Sequence, residues 1–166
     1  MMKDIICVMG KSCAGKSTRI KHLKEQFDNR FYIVKSFSDR RIRESDPNDV
    51  NTHEFVSKDV FEQHKKEGKI MSLYTSPLGY HNWITRDSFS DSRINLLAID
   101  TIAYVDFFDK YKDEYSICGI YHNIPESIRK DRYMKRNGNL DGFEEPHLDV
   151  SNIPDLDSYD VVLLYD

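Results

Sequence analysis

Eight residues near the N-terminus, Gly10-Lys11-Ser12-Cys13-Ala14-Gly15-Lys16-Ser17, carry the spacing G-x-x-x-x-G-K-S. The chemistry such a run performs is phosphate binding. Its glycines let the chain wrap with N–H groups turned inward, and a following helix N-terminus adds partial positive charge. In this frame Gly10, Ser12, Cys13, Ala14, Gly15 and Thr18 shape the cradle. Lys16 bridges the β- and γ-phosphates of a nucleotide such as ATP, and Ser17 offers its hydroxyl to Mg²⁺. The alternative, a glycine turn that only caps an ordinary helix, explains neither the lysine nor the serine. Cys13 reads as loop filler or as a thiol activated by the helix terminus.

Two groups of cations lie elsewhere. Arg40, Arg41 and Arg43 sit in a polar stretch over residues 36–51, broken by Pro47 and expected to be a working loop. Arg129, Lys130, Arg132, Lys135 and Arg136 crowd a segment that begins after Pro125, with Arg132 and Arg136 at i,i+4 on one helical face. A solvated basic face is the bland alternative. The segment holds only Glu126 and Asp131 as acidic partners and runs into Asn137-Gly138-Asn139, which favours an arginine-bearing lid that closes on a transferring phosphoryl group. The run Leu96-Leu97-Ala98-Ile99 delivers Asp100 as a buried strand would, toward the metal region or the acceptor.

These groups need a scaffold, and the hydrophobic pattern supplies one. Strands are predicted over 5–9, 31–34, 54–56, 70–74, 80–85, 96–99, 117–121 and 161–164. Helices are predicted over 16–27, 58–67 (Ser57 as N-cap, Gly68 just past the end), 87–93, 102–111 and 126–136, with a turn near Pro77 and Gly79. Strands alternating with helices give an α/β fold of the phosphate-loop NTPase type, a mainly parallel sheet with helices on both faces. One domain is expected over 1–166: a core of 1–35, 87–125 and 143–166, an acceptor-binding insertion at 36–86, and a lid at 126–142.

Composition narrows the partners. The 166 residues carry 24 Lys+Arg against 28 Asp+Glu, a net charge of −4, so the chain does not coat nucleic acid by overall positive charge. The charge is uneven, because all 24 basic residues fall within 1–136 and the last thirty positions hold eight acids. Three scattered cysteines form no zinc spacing and imply a reduced, cytoplasmic protein. No stretch approaches the length of a membrane span. No Asn-Lys-x-Asp motif for reading a guanine base in a GTPase is present. The oligomeric state is left open by the sequence.

From about Ile5 to Gly138 the chain resembles the guanylate kinases, phosphate-loop kinases of nucleoside monophosphates. The resemblance rests on the phosphate loop, Ser36-x-x-x-Arg40-x-x-Arg43, His53-Glu54-Phe55-Val56-Ser57 ahead of a helix with Phe61, Leu97-Ala98-Ile99-Asp100, and Arg132-x-x-x-Arg136. It implies ATP, Mg²⁺ and a nucleoside monophosphate acceptor, GMP or dGMP first. Ser36 would touch guanine, Arg40 and Arg43 would hold the acceptor phosphate, Arg132 and Arg136 would engage the transferring group, and Asp100 would organise metal water or the acceptor sugar.

The departures are as specific. His53 stands where the family has a phosphate-binding tyrosine, and either donates a hydrogen bond or, protonated, adds a charge. Ser72 and Ala98 stand where the family has acids that accept from guanine N–H groups, and the second tyrosine falls at Tyr80 or within the next three residues. No Lys or Arg follows Arg136, and the chain stops at Tyr165-Asp166, where the family is expected to continue into a final helix. A kinase of a phosphorylated sugar such as ribose bisphosphate, and a non-catalytic guanylate-kinase-like binding module, are the competing readings.

Overall fold

The computed structural model describes residues 4–44, 46, 48–76, 78–141, 143, 150–153 and 155–165. Pro47, Pro77 and the end of the predicted lid at Gly142 lie outside these.

Among the described residues, nine strands form two sheets. The larger contains β1 (Asp4–Met9), β2 (Phe31–Val34), β7 (Ile94–Ala98), β8 (Ser116–Asn123) and β9 (Val161–Tyr165), all parallel in the order β2-β7-β1-β8-β9. Strand β1 is its centre, and both of its faces are apolar because helices cover both. Ile5, Cys7 and Met9 point to one side with Leu97, where they meet Ala103, Tyr104 and Phe107 of α4 (Thr101–Tyr111). Ile6 and Val8 point to the other with Leu96, where they meet Ile20 and Leu23 of α1 (Lys16–Gln26). Burial pushes the Cys7 thiol well above its ordinary range, so it behaves as a small core hydrophobe, and raises that of the half-buried Cys118 as well.

The smaller sheet has the order β4-β3-β6-β5, built from β3 (Ser36–Ser38), β4 (His53–Phe55), β5 (Ile70–Thr75) and β6 (His81–Thr85). Strands β3 and β4 are parallel, whereas β6 runs antiparallel to both β3 and β5. Alternation gives this sheet two unlike faces. Phe37 and Trp83 stack at 5.6 Å on the face covered by α3 (Lys58–Lys66), where Phe61 meets Trp83 edge-on and Trp83 Nε1 donates to His64 Nδ1 at 3.1 Å. Ser36, Ser72, Tyr74, Asn82 and Ile84 take the opposite face, with Ser72 opposite Ile84 and Tyr74 opposite Asn82. A bulge between Ile70 and Ser72 sets that register.

Two sequence expectations are corrected. The stretch 36–51 is not all loop: β3 occupies its start, and α2, a single turn over Asp49–Thr52, follows. Short polar residues hid both elements, which form only because tertiary partners take up their backbone and side-chain groups. No helix spans 87–93. Thr85 and Ser88 close one 3-10 turn over Arg86–Ser88 with a reciprocal capping box, and Asn95 then holds the chain by accepting from Ser90 N at 2.8 Å and donating to Ser90 O and Arg93 O. Serines and asparagine satisfying the backbone locally outcompete a helix there. Helix α5 (Glu126–Asn137) completes the set, ending at Gly138 with φ 75°, a conformation suited to glycine. Among the described residues no helix is long and apolar enough to cross a membrane.

Candidate active site

The phosphate loop leaves the end of β1 and turns into α1. Gly10 has φ 145°, and a Cβ there would meet Ala14 Cβ and the His122 carbonyl oxygen at 3.0 Å, so only glycine fits. Gly15 is left-handed at φ 89° and serves as the N-cap of α1, and Cys13 also takes positive φ, 62°. Behind the loop the buried His122 ring faces two ways, with Nδ1 at 3.4 Å from the Ala14 carbonyl and Nε2 accepting from Arg19 Nε at 3.2 Å.

Lys16 folds back over this loop and donates to the carbonyls of Gly10 at 2.7 Å and Lys11 at 3.4 Å. Burial pulls its pKa down to about 8; Asp100 opposes the shift, while Arg43 and Arg136 add to it. A site waiting for polyanion has this character, since the cation gains its missing partner only on binding. The sign is therefore fixed: in the free protein the charge is lost as pH rises through about 8. ATP affinity, followed calorimetrically, is expected to fall between pH 7.5 and 9.5, with net proton uptake on binding near pH 8. A flat profile would remove Lys16 from the phosphate site.

Helix α5 brings Arg132 and Arg136 to the same loop. Arg132 donates to the Cys13 carbonyl at 3.3 Å and Arg136 to Ser12 Oγ at 3.4 Å, while the Nε of Arg136 is buried without a partner. Arg129, one turn earlier, turns away: it is buried, donates to the Ile124 carbonyl at 3.3 Å and lies over the Phe143 ring.

The second arginine group is organised by Asp49 at the start of α2. Arg40 grips this carboxylate in bidentate fashion, NH1 to Oδ2 at 2.7 Å and NH2 to Oδ1, with NH1 also donating to the Arg41 carbonyl at 2.9 Å. The Arg43 backbone N–H donates to Asp49 Oδ2 at 2.9 Å. Burial alone would push the Asp49 carboxyl up; the Arg40 pair and the Arg43 amide outweigh it and hold it below the usual carboxylate range. His53 stands beside them with Nδ1 3.1 Å from Thr52 Oγ1 and 3.3 Å from the Asp49 carbonyl. Burial, then the Arg40 charge, pulls its pKa down to about 4, so His53 is neutral at physiological pH and adds no positive charge.

A single cavity of about 330 Å³ joins these parts. Ser12, Cys13, Ala14, Gly15, Lys16, Ser17 and Thr18 line it from the loop, Asp100 from the head of α4, and Arg132 and Arg136 from α5. Ser36, Arg40, Arg43, His53, Ser72 and Tyr80 line it from the smaller sheet and its loops. Gly10 lies at the root of the loop and does not reach the cavity wall. Asp100 also caps α4, its Oδ1 accepting from Ile102 N at 2.9 Å.

Several lining residues were not singled out from the sequence: Asp46, Asp49, Tyr74, Asn82, Ile84 and Ala103. The hairpin alternation of β5 and β6 is the signal that finds Tyr74 and Asn82. Nothing local marks Asp49, an aspartate among several in a polar stretch. Asn82 is notable because its side-chain carbonyl oxygen is buried and accepts no hydrogen bond.

No family model matches the chain. It is 23% identical over 171 aligned residues to a guanylate kinase of Campylobacter jejuni, covering all of this chain and 82% of that protein. A guanylate kinase of Mycoplasmopsis pulmonis is 27% identical over 115 residues, 68% of this chain and 58% of that one. Among solved structures, guanylate kinase from Anaplasma phagocytophilum superimposes with a TM-score of 0.62 at 18% identity, over 100% of this chain and 79% of its own. The phosphate loop, the parallel sheet and these likenesses agree: the chain has the phosphate-loop kinase fold and is similar, at low identity, to guanylate kinases.

Proposed function

We propose that this protein transfers the γ-phosphoryl group of ATP to the phosphate of a nucleoside monophosphate, with GMP or dGMP first among acceptors. The observation that carries the reading is the one cavity in which the phosphate loop, the lid arginines and the Arg40/Arg43 pair converge. A donor triphosphate and an acceptor phosphate both need cations, and the chain supplies a separate set for each.

Lys16 and the loop amides hold the β- and γ-phosphates. Arg132 and Arg136 spread positive charge over the group in flight, where it does most work. Arg40 keeps its Nε–H and one NH2 hydrogen free of the Asp49 pair, and with Arg43 it holds the acceptor phosphate. That phosphate is already anionic, so no general base is required. Asp100 faces the acceptor sugar or metal water. Ser17 would provide a hydroxyl to Mg²⁺, and among the described residues no group of three or more His, Cys, Asp or Glu converges on a metal. Such a donor set suits an ion that arrives with the nucleotide and keeps several waters. Bound there, Mg²⁺ would neutralise charge across the β- and γ-phosphates.

The acceptor base would rest on the cavity face of the smaller sheet, between Ile84, Tyr74 and Tyr80 and the neutral groups of Ser36, Ser72 and Asn82. The absence of acid at Ser72 and Ala98 favours the second reading, a phosphorylated sugar. ADP release across GMP, dGMP, AMP, UMP, CMP and ribose phosphates separates the two, and we expect GMP and dGMP to lead. Exchanging Asn82 for Asp places a charged acceptor opposite guanine N–H groups and is expected to raise the GMP/AMP ratio of kcat/KM about tenfold, the worth of one charge-assisted hydrogen bond. Turnover of ribose phosphates alone would overturn the nucleotide reading.

A further inference from the structure

We propose that α2 is a bridge between the donor and acceptor sites, with Thr52 as a positioning residue that makes binding at one depend on binding at the other. The inference rests on the phosphoryl-transfer reading above and concerns how its two halves communicate.

The contacts form a chain. Ser17 Oγ, the hydroxyl that would hold a donor metal, lies 3.4 Å from Thr52 Oγ1. Thr52 Oγ1 lies 3.1 Å from His53 Nδ1, which is 3.6 Å from Asp49 Oδ1. Asp49 then holds the Arg40 guanidinium and the Arg43 amide. Thr52 is 1% exposed, Asp49 2% and the Arg40 side chain 6%, so water competes little for these contacts. One helical turn therefore touches the donor side with its last residue and the acceptor side with its first.

The chemistry gives the chain a direction. A serine that gives an oxygen lone pair to a metal ion must donate its proton elsewhere, and Thr52 Oγ1 is the acceptor placed there. Thr52 then turns its own proton away from Ser17, toward the ring of His53. His53 is neutral and can accept it at Nδ1 in its Nε2–H tautomer. In that tautomer Nδ1 makes no hydrogen bond to Asp49, so the link from Thr52 to Asp49 runs through the backbone of α2. Filling the donor site thus fixes the hydroxyl rotors of α2, and a fixed α2 holds Asp49, and with it Arg40 and Arg43, in the geometry that receives a phosphate. Such coupling is reciprocal, because an acceptor that orders the arginines orders α2 and Ser17 in turn.

The test is equilibrium binding without turnover. Acceptor affinity is measured calorimetrically for GMP, AMP and ribose 5-phosphate, with and without Mg²⁺ and an ATP analogue carrying a β,γ-imido bridge. In the natural protein the analogue is expected to tighten the acceptor about tenfold, within the usual range of coupling between sites. Thr52→Val keeps the shape and removes the hydroxyl, and should reduce that factor to below about twofold; Thr52→Ser restores the hydroxyl and should restore most of it. A variant that has merely lost stability would not lose the ratio selectively. Binding of ribose 5-phosphate but neither nucleotide would sink the nucleotide reading while leaving the coupling measurable on the sugar. Full coupling in Thr52→Val, no coupling in the natural protein, or binding of none of the three acceptors would overturn the bridge.

Discussion

Lys16→Ala is expected to lower kcat/KM for ATP by about 10³-fold or more, comparable with removal of a principal cation or oxyanion donor at a transferring phosphoryl group. The reason lies in its setting. The ammonium group is held over the loop by two backbone carbonyls, and burial has already pulled its pKa down to about 8. Its positive charge is therefore poorly solvated in the free protein and gains most when phosphates enter. Two readouts are needed. Turnover reports the transition state, and the rise in Tm with ATP and Mg²⁺ reports ground-state binding. We expect that rise to vanish in Lys16→Ala while the Tm of the unliganded variant is unchanged or higher, since a desolvated cation has been removed. Persistence of the full ATP-dependent rise would place the nucleotide elsewhere.

Asp49→Ala is expected to destabilise the fold by about 3–5 kcal/mol, the cost of leaving a buried guanidinium without its carboxylate. The Arg40 side chain is 6% exposed and Asp49 2%, so solvent does little to screen the loss. Urea unfolding at pH 7 checks the magnitude. The pH dependence checks the cause. The folded carboxyl is held below its ordinary value of 3.8, so its contribution is complete above that value and fades as pH falls through the lower folded pKa. The gap between the natural protein and Asp49→Ala should therefore be largest near neutrality and narrow below about pH 4. A gap that is small at pH 7, or one that widens in acid, would refute the assignment. Acceptor affinity should fall with it, because the carboxylate also anchors the Arg43 backbone.

These two predictions divide the molecule into what a sequence can and cannot display. The Lys16 site was legible because all of it is local. Glycine spacing, a strand before and a helix after, and the lysine itself fall within a short segment, and the backbone conformations required of Gly10 and Gly15 leave a compositional mark. The parallel sheet was legible for a similar reason: strands buried on both faces read as unbroken apolar runs, as in Ile5–Met9 and Leu96–Ile99. The Arg132/Arg136 pair declared itself through helical spacing and a scarcity of acidic partners.

The Arg40/Arg43 side of the cavity was a different matter. Ser36–Ser38 and Asp49–Thr52 are short polar segments whose own preferences do not specify a strand or a helix; neighbouring strands, and the pairing of Asp49 with Arg40, define them. The expected helix over 87–93 fails for the mirror-image reason, since Asn95, just beyond it, completes a local network that the window itself does not reveal. A neutral His53 follows from burial beside Arg40, which no property of histidine in the sequence foretells. The sequence by itself determined the phosphate loop, its lysine, the Arg132/Arg136 pair and the individual strands of the central sheet, because each is encoded by residues near one another. Only the tertiary structure decided that Asp49 holds the Arg40 guanidinium and the Arg43 amide and that Thr52 meets Ser17, because those contacts form only when the segments have been brought together by both sheets.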